Sequence, residues 1–77
     1  MKTGEVYLNK EPVVMTENKV IVEPYKIKLL EYLGSDDWRV HAIYQIENEH
    51  VPGGLDKFDR EDVIISGSKI YQKYRKL

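Results

Sequence analysis

The chain has 77 residues, of which 42% are hydrophobic and 32% are charged, and its formal net charge is -1. This composition is typical of one small folded domain and excludes an intrinsically disordered chain. The near-neutral charge excludes a general attraction to nucleic acid or to anionic lipid. Cysteine is absent, so disulfide bonds and thiolate metal sites are excluded as well.

The first third of the chain predicts short β-strands separated by turns. Residues 5–8 form the first strand candidate. A tight hairpin is expected from residues 13–15 and 19–23, because the segment 20–22 is entirely β-branched. Pro24 has no backbone N–H to donate to a sheet, so it marks a strand boundary.

A long hairpin over residues 25–46, turning at 34–37, is the strongest pattern in the sequence. Folding the chain at this turn pairs Tyr25 with Ile46, Ile27 with Tyr44, Leu29 with Ala42, Glu31 with Val40 and Leu33 with Trp38. Nearly all the large apolar side chains then share one face, as a half-buried antiparallel pair requires. Glu31 falls on this apolar face unless a bulge turns it outward.

The second face of the same hairpin mixes aromatic, aliphatic and basic side chains, a composition typical of interfaces. The register pairs Tyr32 with Arg39, Leu30 with His41, Lys28 with Ile43 and Lys26 with Gln45. One alternative is that the C-terminal segment covers this face, with Ile70, Tyr71 and Tyr74 packing on Leu30 and Ile43. The other is that the face is exposed and binds a partner.

The C-terminal part predicts a helical turn, a short strand and a helix. Asp59 can accept a hydrogen bond from the N–H of Asp62, so residues 59–62 are expected to form a capped turn before a strand at 63–65. Apolar residues recur at helical spacing from Lys69 to Leu77, which predicts a C-terminal helical extension over 68–77 with Ser68 as its N-cap.

This order of elements resembles the SH3-like small barrels, a group that includes the Tudor-like domains. The segments that carry the resemblance are residues 20–22, 25–46 and 58–64. It implies a mainly β, SH3-like barrel of about five bent antiparallel strands over residues 4–66. With the short C-terminal helix, the whole chain 1–77 is then a single domain. In such barrels a one-turn helix commonly precedes the last strand.

No residue pattern in the sequence indicates catalysis. No serine lies beside a histidine in a nucleophile motif, and Asp36 and Asp37 fit the chemistry of the hairpin turn. Glu31 and His41 are the only acid and base candidates. The acids at 56–62 do not follow the spacing of a calcium loop. We therefore predict a protein that is not an enzyme and that has no cofactor and no metal site.

The sequence favours a non-catalytic binding or regulatory module that recognises a protein partner or associates with itself. The predicted contact residues are Tyr32, Arg39, His41, Ile43, Tyr71, Tyr74 and Arg75. The alternative is nucleic-acid binding, in which the cations would be Lys26, Lys28, Lys69, Lys73 and Lys76, interleaved with tyrosines. The N-terminal residues lack a signal-peptide core, and no apolar run approaches the roughly 20 residues of a membrane span, so a cytoplasmic location is expected.

Overall fold

The computed structural model describes residues 1–11, 14–15, 23–47 and 49–77. In chain order, these contain β1 (Val6–Asn9), β2 (Val14–Met15), β3 (Lys26–Gly34), β4 (Asp37–Glu47), β5 (Leu55–Ser66), α1 (Gly67–Lys73) and β6 (Tyr74–Lys76). The chain is thus mainly β with a short helix near its C-terminus, which confirms the predicted class. Within these ranges, no helix has the length and apolar character needed to cross a membrane.

The strands form one antiparallel sheet in the order β5-β4-β3-β1-β6, and the two residues of β2 pair in parallel with the far end of β4. The helix α1 joins β5 at one edge of this sheet to β6 at the other. Four strand spacings in a flat sheet would span about 19 Å. A seven-residue helix is only about 10 Å long. The sheet must therefore curve strongly to bring its edges together.

The core lies on the concave side of the sheet and is closed by α1. Its members are Tyr7, Ile27, Leu29, Trp38, Val40, Ala42, Tyr44, Ile65, Ile70 and Tyr74. Alternate residues of β3 and β4 enter it, as the two-residue period of a strand requires. Ile27, Leu29, Val40 and Ile70 are completely buried. Burial of each such aliphatic side chain contributes about 1.5–3 kcal/mol.

The predicted register of the long hairpin holds only at the turn, where Gly34 lies opposite Asp37. Two irregularities in β3 then shift the pairing, so that Leu29 lies opposite Val40 instead of Ala42. A total shift of two residues keeps each side chain on its predicted face, which is why Ile27 and Leu29 still enter the core.

Between the two irregularities the shift is one residue, and there the faces exchange. Glu31 now pairs with Arg39 and is exposed, as expected if a bulge turns it outward. Tyr32 pairs with Trp38, so the predicted Tyr32–Arg39 pair is wrong. The hydrophobic pattern of the sequence does not show at which positions one strand carries an extra residue.

The hairpin turn is tied to the start of the helix. Ser35 and Asp36 have φ angles of 51° and 67°, the left-handed pair that a two-residue hairpin loop needs. The Asp36 carboxylate accepts from the N–H of Ser68 at 2.9 Å and from its hydroxyl at 2.8 Å. The N–H of Gly67 donates to the Asp36 carbonyl at 2.6 Å. Hydrogen bonds to Ser68 lower the pKa of Asp36.

The elements after residue 55 differ from the predicted ones. Residues 59–62 are strand and not a helical turn, and the predicted strand at 63–65 is the end of the 12-residue β5. Pairing along the whole of β4 outweighs the local preference of Asp59 for a cap.

The helix begins earlier and ends earlier than predicted. Its N-cap is Ser66, whose hydroxyl accepts from the N–H of Lys69 at 3.2 Å. Residues 74–76 leave the helix and pair with β1, so the predicted helix over 68–77 is wrong beyond Lys73. Without residues 74–76, the backbone N–H and C=O groups along this edge of β1 would have no strand partner. Pairing with β1 therefore satisfies more backbone groups than continuing the short helix would. The predicted hairpin of residues 13–15 and 19–23, with Val20, Ile21 and Val22, lies largely outside the described residues.

Candidate interaction surface

The face of the sheet opposite the core, which we call the outer face, carries side chains from five strands. They are Val6, Leu8, Lys26, Lys28, Arg39, His41, Ile43, Asp59, Ile64 and Arg75. Helix α1 buries Ile70 in the core on the other side of the sheet, and Tyr74 after it does the same. Of the two alternatives, coverage of the outer face by the C-terminal helix is therefore wrong.

Two isoleucines lie at separate places on the outer face. Ile64 is 59% exposed, on the edge strand β5 and opposite Arg39. Ile43 is half-buried and lies between Lys26 on β3 and Asp59 on β5. Because Arg39 and Ile43 are four residues apart on β4, about 13 Å separates the two isoleucines along the strands.

Two carboxylates hold Arg39 and His41 in place on this face. The Arg39 Nε lies 3.4 Å from Glu31 Oε1, and its Nη1 donates to the Glu61 carbonyl at 3.0 Å. The His41 Nε2 lies 2.6 Å from Asp59 Oδ2. Such exposed pairs add little stability. Their effect is to fix the direction of both side chains, so two predicted contact residues are presented in defined positions.

Tyr32 lies away from the outer face, at the tip of the hairpin. Its ring packs on Trp38 with the ring centroids 5.1 Å apart and the planes inclined at 56°. Its hydroxyl accepts a hydrogen bond from the N–H of Asp36 at 3.1 Å. Tyr32 is 54% exposed and accessible, but it does not form one surface with Arg39 and His41.

The two tyrosines of the C-terminal segment have opposite environments. Tyr74 is only 3% exposed, and its hydroxyl donates to the Pro24 carbonyl at 2.8 Å. Burial raises the pKa of Tyr74. Tyr74 is therefore a core residue, which corrects its assignment as a contact residue. Tyr71 is 80% exposed and lines an open groove along β6 together with Tyr7 and Lys76.

Most lysines of the predicted nucleic-acid site are engaged by carboxylates. Lys69 and Lys73 each lie 2.9 Å from Glu23 Oε1, and their hydrogen bonds lower the pKa of that carboxyl. Lys76 pairs with Glu5, and the interaction lowers the pKa of Glu5 to about 2. Lys26 and Lys28 lie instead on the outer face, so the predicted basic site is divided in two.

Neither the predicted acid nor the predicted base lies in an enclosed pocket. Glu31 is exposed beside Arg39, and His41 faces Asp59 on the open surface. Among the residues that the structure describes, no three His, Asp or Glu side chains are grouped so that they would hold a metal ion. The side chains of Glu31 and His41 are therefore placed where a partner can contact them.

Sequence reasoning missed Leu8 and Ile64 as outer-face residues. Leu8 belongs to a strand whose partners are distant in sequence. Ile64 follows an irregularity between its strand and β4, near Val40 and Ala42, which reverses the faces of β5. Exposure of Ile64 could have been suspected only from its alternation with Val63 and Ile65.

Comparison with known proteins finds no matching family model, no matching curated protein and no matching solved structure. The function is therefore inferred from the geometry of the outer face.

Proposed function

We propose that this chain is an SH3-like, non-catalytic protein-binding module of the cytoplasm, and that its binding site is the outer face. The strand order, with a short helix between β5 and β6, supports the SH3-like part of the proposal. The exposure of Ile64 on a mixed apolar and charged sheet face is the observation that carries the functional part. A large aliphatic side chain held outward on a rigid strand is a natural anchor for a partner.

The side chains around Ile64 combine apolar and polar contacts, as protein interfaces do. Arg39 lies directly opposite Ile64, and His41 lies two residues further along β4. Because Glu31 and Asp59 already orient these two side chains, less side-chain freedom is lost when a partner binds. Arg39 and His41 therefore supply direction and specificity, and Ile64 supplies affinity.

Protein recognition fits this face better than nucleic-acid recognition. Affinity for nucleic acid comes mainly from lysine and arginine side chains that neutralise phosphates. Lys69, Lys73 and Lys76 already contact carboxylates within the chain. The carboxylate of Asp59 also lies on the outer face, where it would repel phosphates.

The experiment is a selection of peptides from a random display library on the immobilised chain, followed by titration of the enriched peptides in solution. Ile64→Ser should weaken their binding at least tenfold, which corresponds to about 1.4 kcal/mol. Tyr71→Ser is the matched control, because it also removes an exposed apolar side chain but lies off the outer face. Tyr71→Ser should change the affinity by less than about twofold. Both variants should have nearly the same melting temperature as the wild type, because surface substitutions usually change the free energy of unfolding by no more than about 0.5 kcal/mol.

The opposite result has a definite meaning. If Tyr71→Ser abolishes binding and Ile64→Ser does not, the groove along β6 is the binding site and the outer face is not. If oligonucleotides bind in a strongly salt-dependent way while no peptide is enriched, protein recognition is replaced by nucleic-acid recognition. Sedimentation velocity at several concentrations tests in the same sample whether the partner is a second copy of the chain.

A further inference from the structure

One row of side chains crosses the outer face from edge to edge. The cross-strand partners, in order, are Arg75, Leu8, Lys26, Ile43 and Asp59. Directly opposed residues in an antiparallel sheet lie on the same face with their Cβ atoms about 4.5–5.5 Å apart. The row thus begins with a cation, alternates cations with apolar side chains, and ends with an acid at β5.

The cations at the β6 side of this row have no carboxylate of their own. Within residues 1–11, 14–15, 23–47 and 49–77, no ion pair is formed by Lys26, Lys28 or Arg75. On β4, Arg39 is paired with Glu31, and His41 faces Asp59. The outer face is therefore polarised, with three unpaired cations over β6, β1 and β3 and with acids beside Arg39 and His41 towards β5.

The three unpaired cations lie at the corners of a triangle on the outer face. Lys26 and Lys28 are two residues apart on β3, a separation of about 7 Å. Arg75 lies two strands away from Lys26, at about 10 Å and at right angles to β3. In an extended peptide, side chains two residues apart point to the same side and are about 7 Å apart. Two such acids can therefore pair with Lys26 and Lys28, and Leu8 separates these lysines from Arg75.

We propose that the outer face binds an acidic segment of a partner protein, in which glutamates or aspartates two residues apart pair with Lys26 and Lys28 while the charge of Arg75 adds to the attraction. This inference rests on the proposed function and adds the chemical class of the partner. Charge complementarity selects the acidic segment, because the unpaired charge of this half of the face has a single sign. Asp59, at the other end of the row, repels acids and so favours binding over β3, β1 and β6.

The test is fluorescence anisotropy with a labelled octapeptide, Gly-Val-Glu-Val-Glu-Val-Glu-Gly, and with its counterpart in which glutamine replaces each glutamate. The double variant Lys26→Gln with Arg75→Gln should weaken binding of the acidic peptide at least tenfold. The double variant Lys2→Gln with Lys10→Gln removes the same charge away from the outer face and should change binding by less than about twofold. Unchanged thermal unfolding midpoints show that both variants are folded.

Three outcomes would overturn the proposal. Equal weakening by the two double variants would mean that only the net charge matters. Binding of the glutamine peptide as tightly as the acidic peptide would mean that the carboxylates do not contribute to recognition. Tighter binding of a short oligothymidine than of the acidic peptide would mean that the cations serve phosphates. If the acidic peptide does not bind but the binding of selected peptides is still weakened by Ile64→Ser, only the preference for acidic segments is refuted. If Ile64→Ser weakens the binding of no ligand, the proposed function is refuted as well.

Discussion

Replacing Tyr74 by phenylalanine should destabilise the chain, although the ring that fills the core is retained. The Tyr74 hydroxyl donates to the Pro24 carbonyl at 2.8 Å in a buried position. Without it, that carbonyl keeps only the Asn9 side-chain amide at the long distance of 3.4 Å. Leaving a buried acceptor poorly satisfied costs about 1–3 kcal/mol. In a domain of this size each kcal/mol lowers the melting midpoint by about 4–8 °C.

Tyr71→Phe is the matched control for Tyr74→Phe. Tyr71 is three residues away, is 80% exposed, and forms no hydrogen bond within the described part of the chain. Its replacement should alter the free energy of unfolding by less than about 0.5 kcal/mol. Urea unfolding of the two variants beside the wild type measures both effects. The reasoning is refuted if Tyr74→Phe is as stable as the wild type, or if Tyr71→Phe is the less stable of the two.

Alkaline titration gives a second measurement on the same variant. Burial raises the pKa of Tyr74 above its ordinary value of 10.0. The neutral phenol is therefore favoured in the folded state, and its contribution to stability is present below pH 10 and lost as the pH rises above it. The wild type should lose stability with rising alkalinity more steeply than Tyr74→Phe, which has no phenol to ionise at this position. Parallel curves for the two proteins would contradict the burial of the hydroxyl.

Three further predictions concern the elements that hold the sheet in shape. Gly67→Ala should lower the free energy of unfolding by about 1–3 kcal/mol, measured by thermal unfolding, because a Cβ at this position collides with the Asp36 carboxylate. In a chain that already carries Asp36→Gly, adding Gly67→Ala should have little further effect. Glu5→Gln should be less stable than the wild type above pH 4.5, because it lacks the carboxylate that pairs with Lys76. The difference in stability should disappear as the pH falls towards the Glu5 pKa of about 2, where protonation breaks this pair in the wild type too. A difference that persists at that pH would contradict this. Ile27→Ala should cost about 2–5 kcal/mol in urea unfolding, because Ile27 is completely buried, and a smaller loss would mean that the core collapses around the cavity.

The sequence determined the class of the fold and the inward-facing residues of the long hairpin. The alternation of Ile27 and Leu29 on one arm of the hairpin, and of Val40 and Ala42 on the other, is a local property that any antiparallel pairing must satisfy. The turn between them is equally local, because Gly34, Ser35 and Asp36 accept the left-handed backbone that a two-residue loop needs. These elements were therefore predictable without knowledge of the rest of the molecule.

Only the tertiary structure decided where the irregularities fall and which elements compete for the free edges. The shift beside Leu29 moves Glu31 outward, and the irregularity between β4 and β5 turns Ile64 to the outer face. Both depend on the fit of whole strands and not on nearby residues. Tyr74 leaves its helix because the edge of β1, more than sixty residues earlier, lacks a partner. The same pairing sets Arg75 and Lys26 on either side of Leu8, so the proposed binding site arises from contacts distant in sequence.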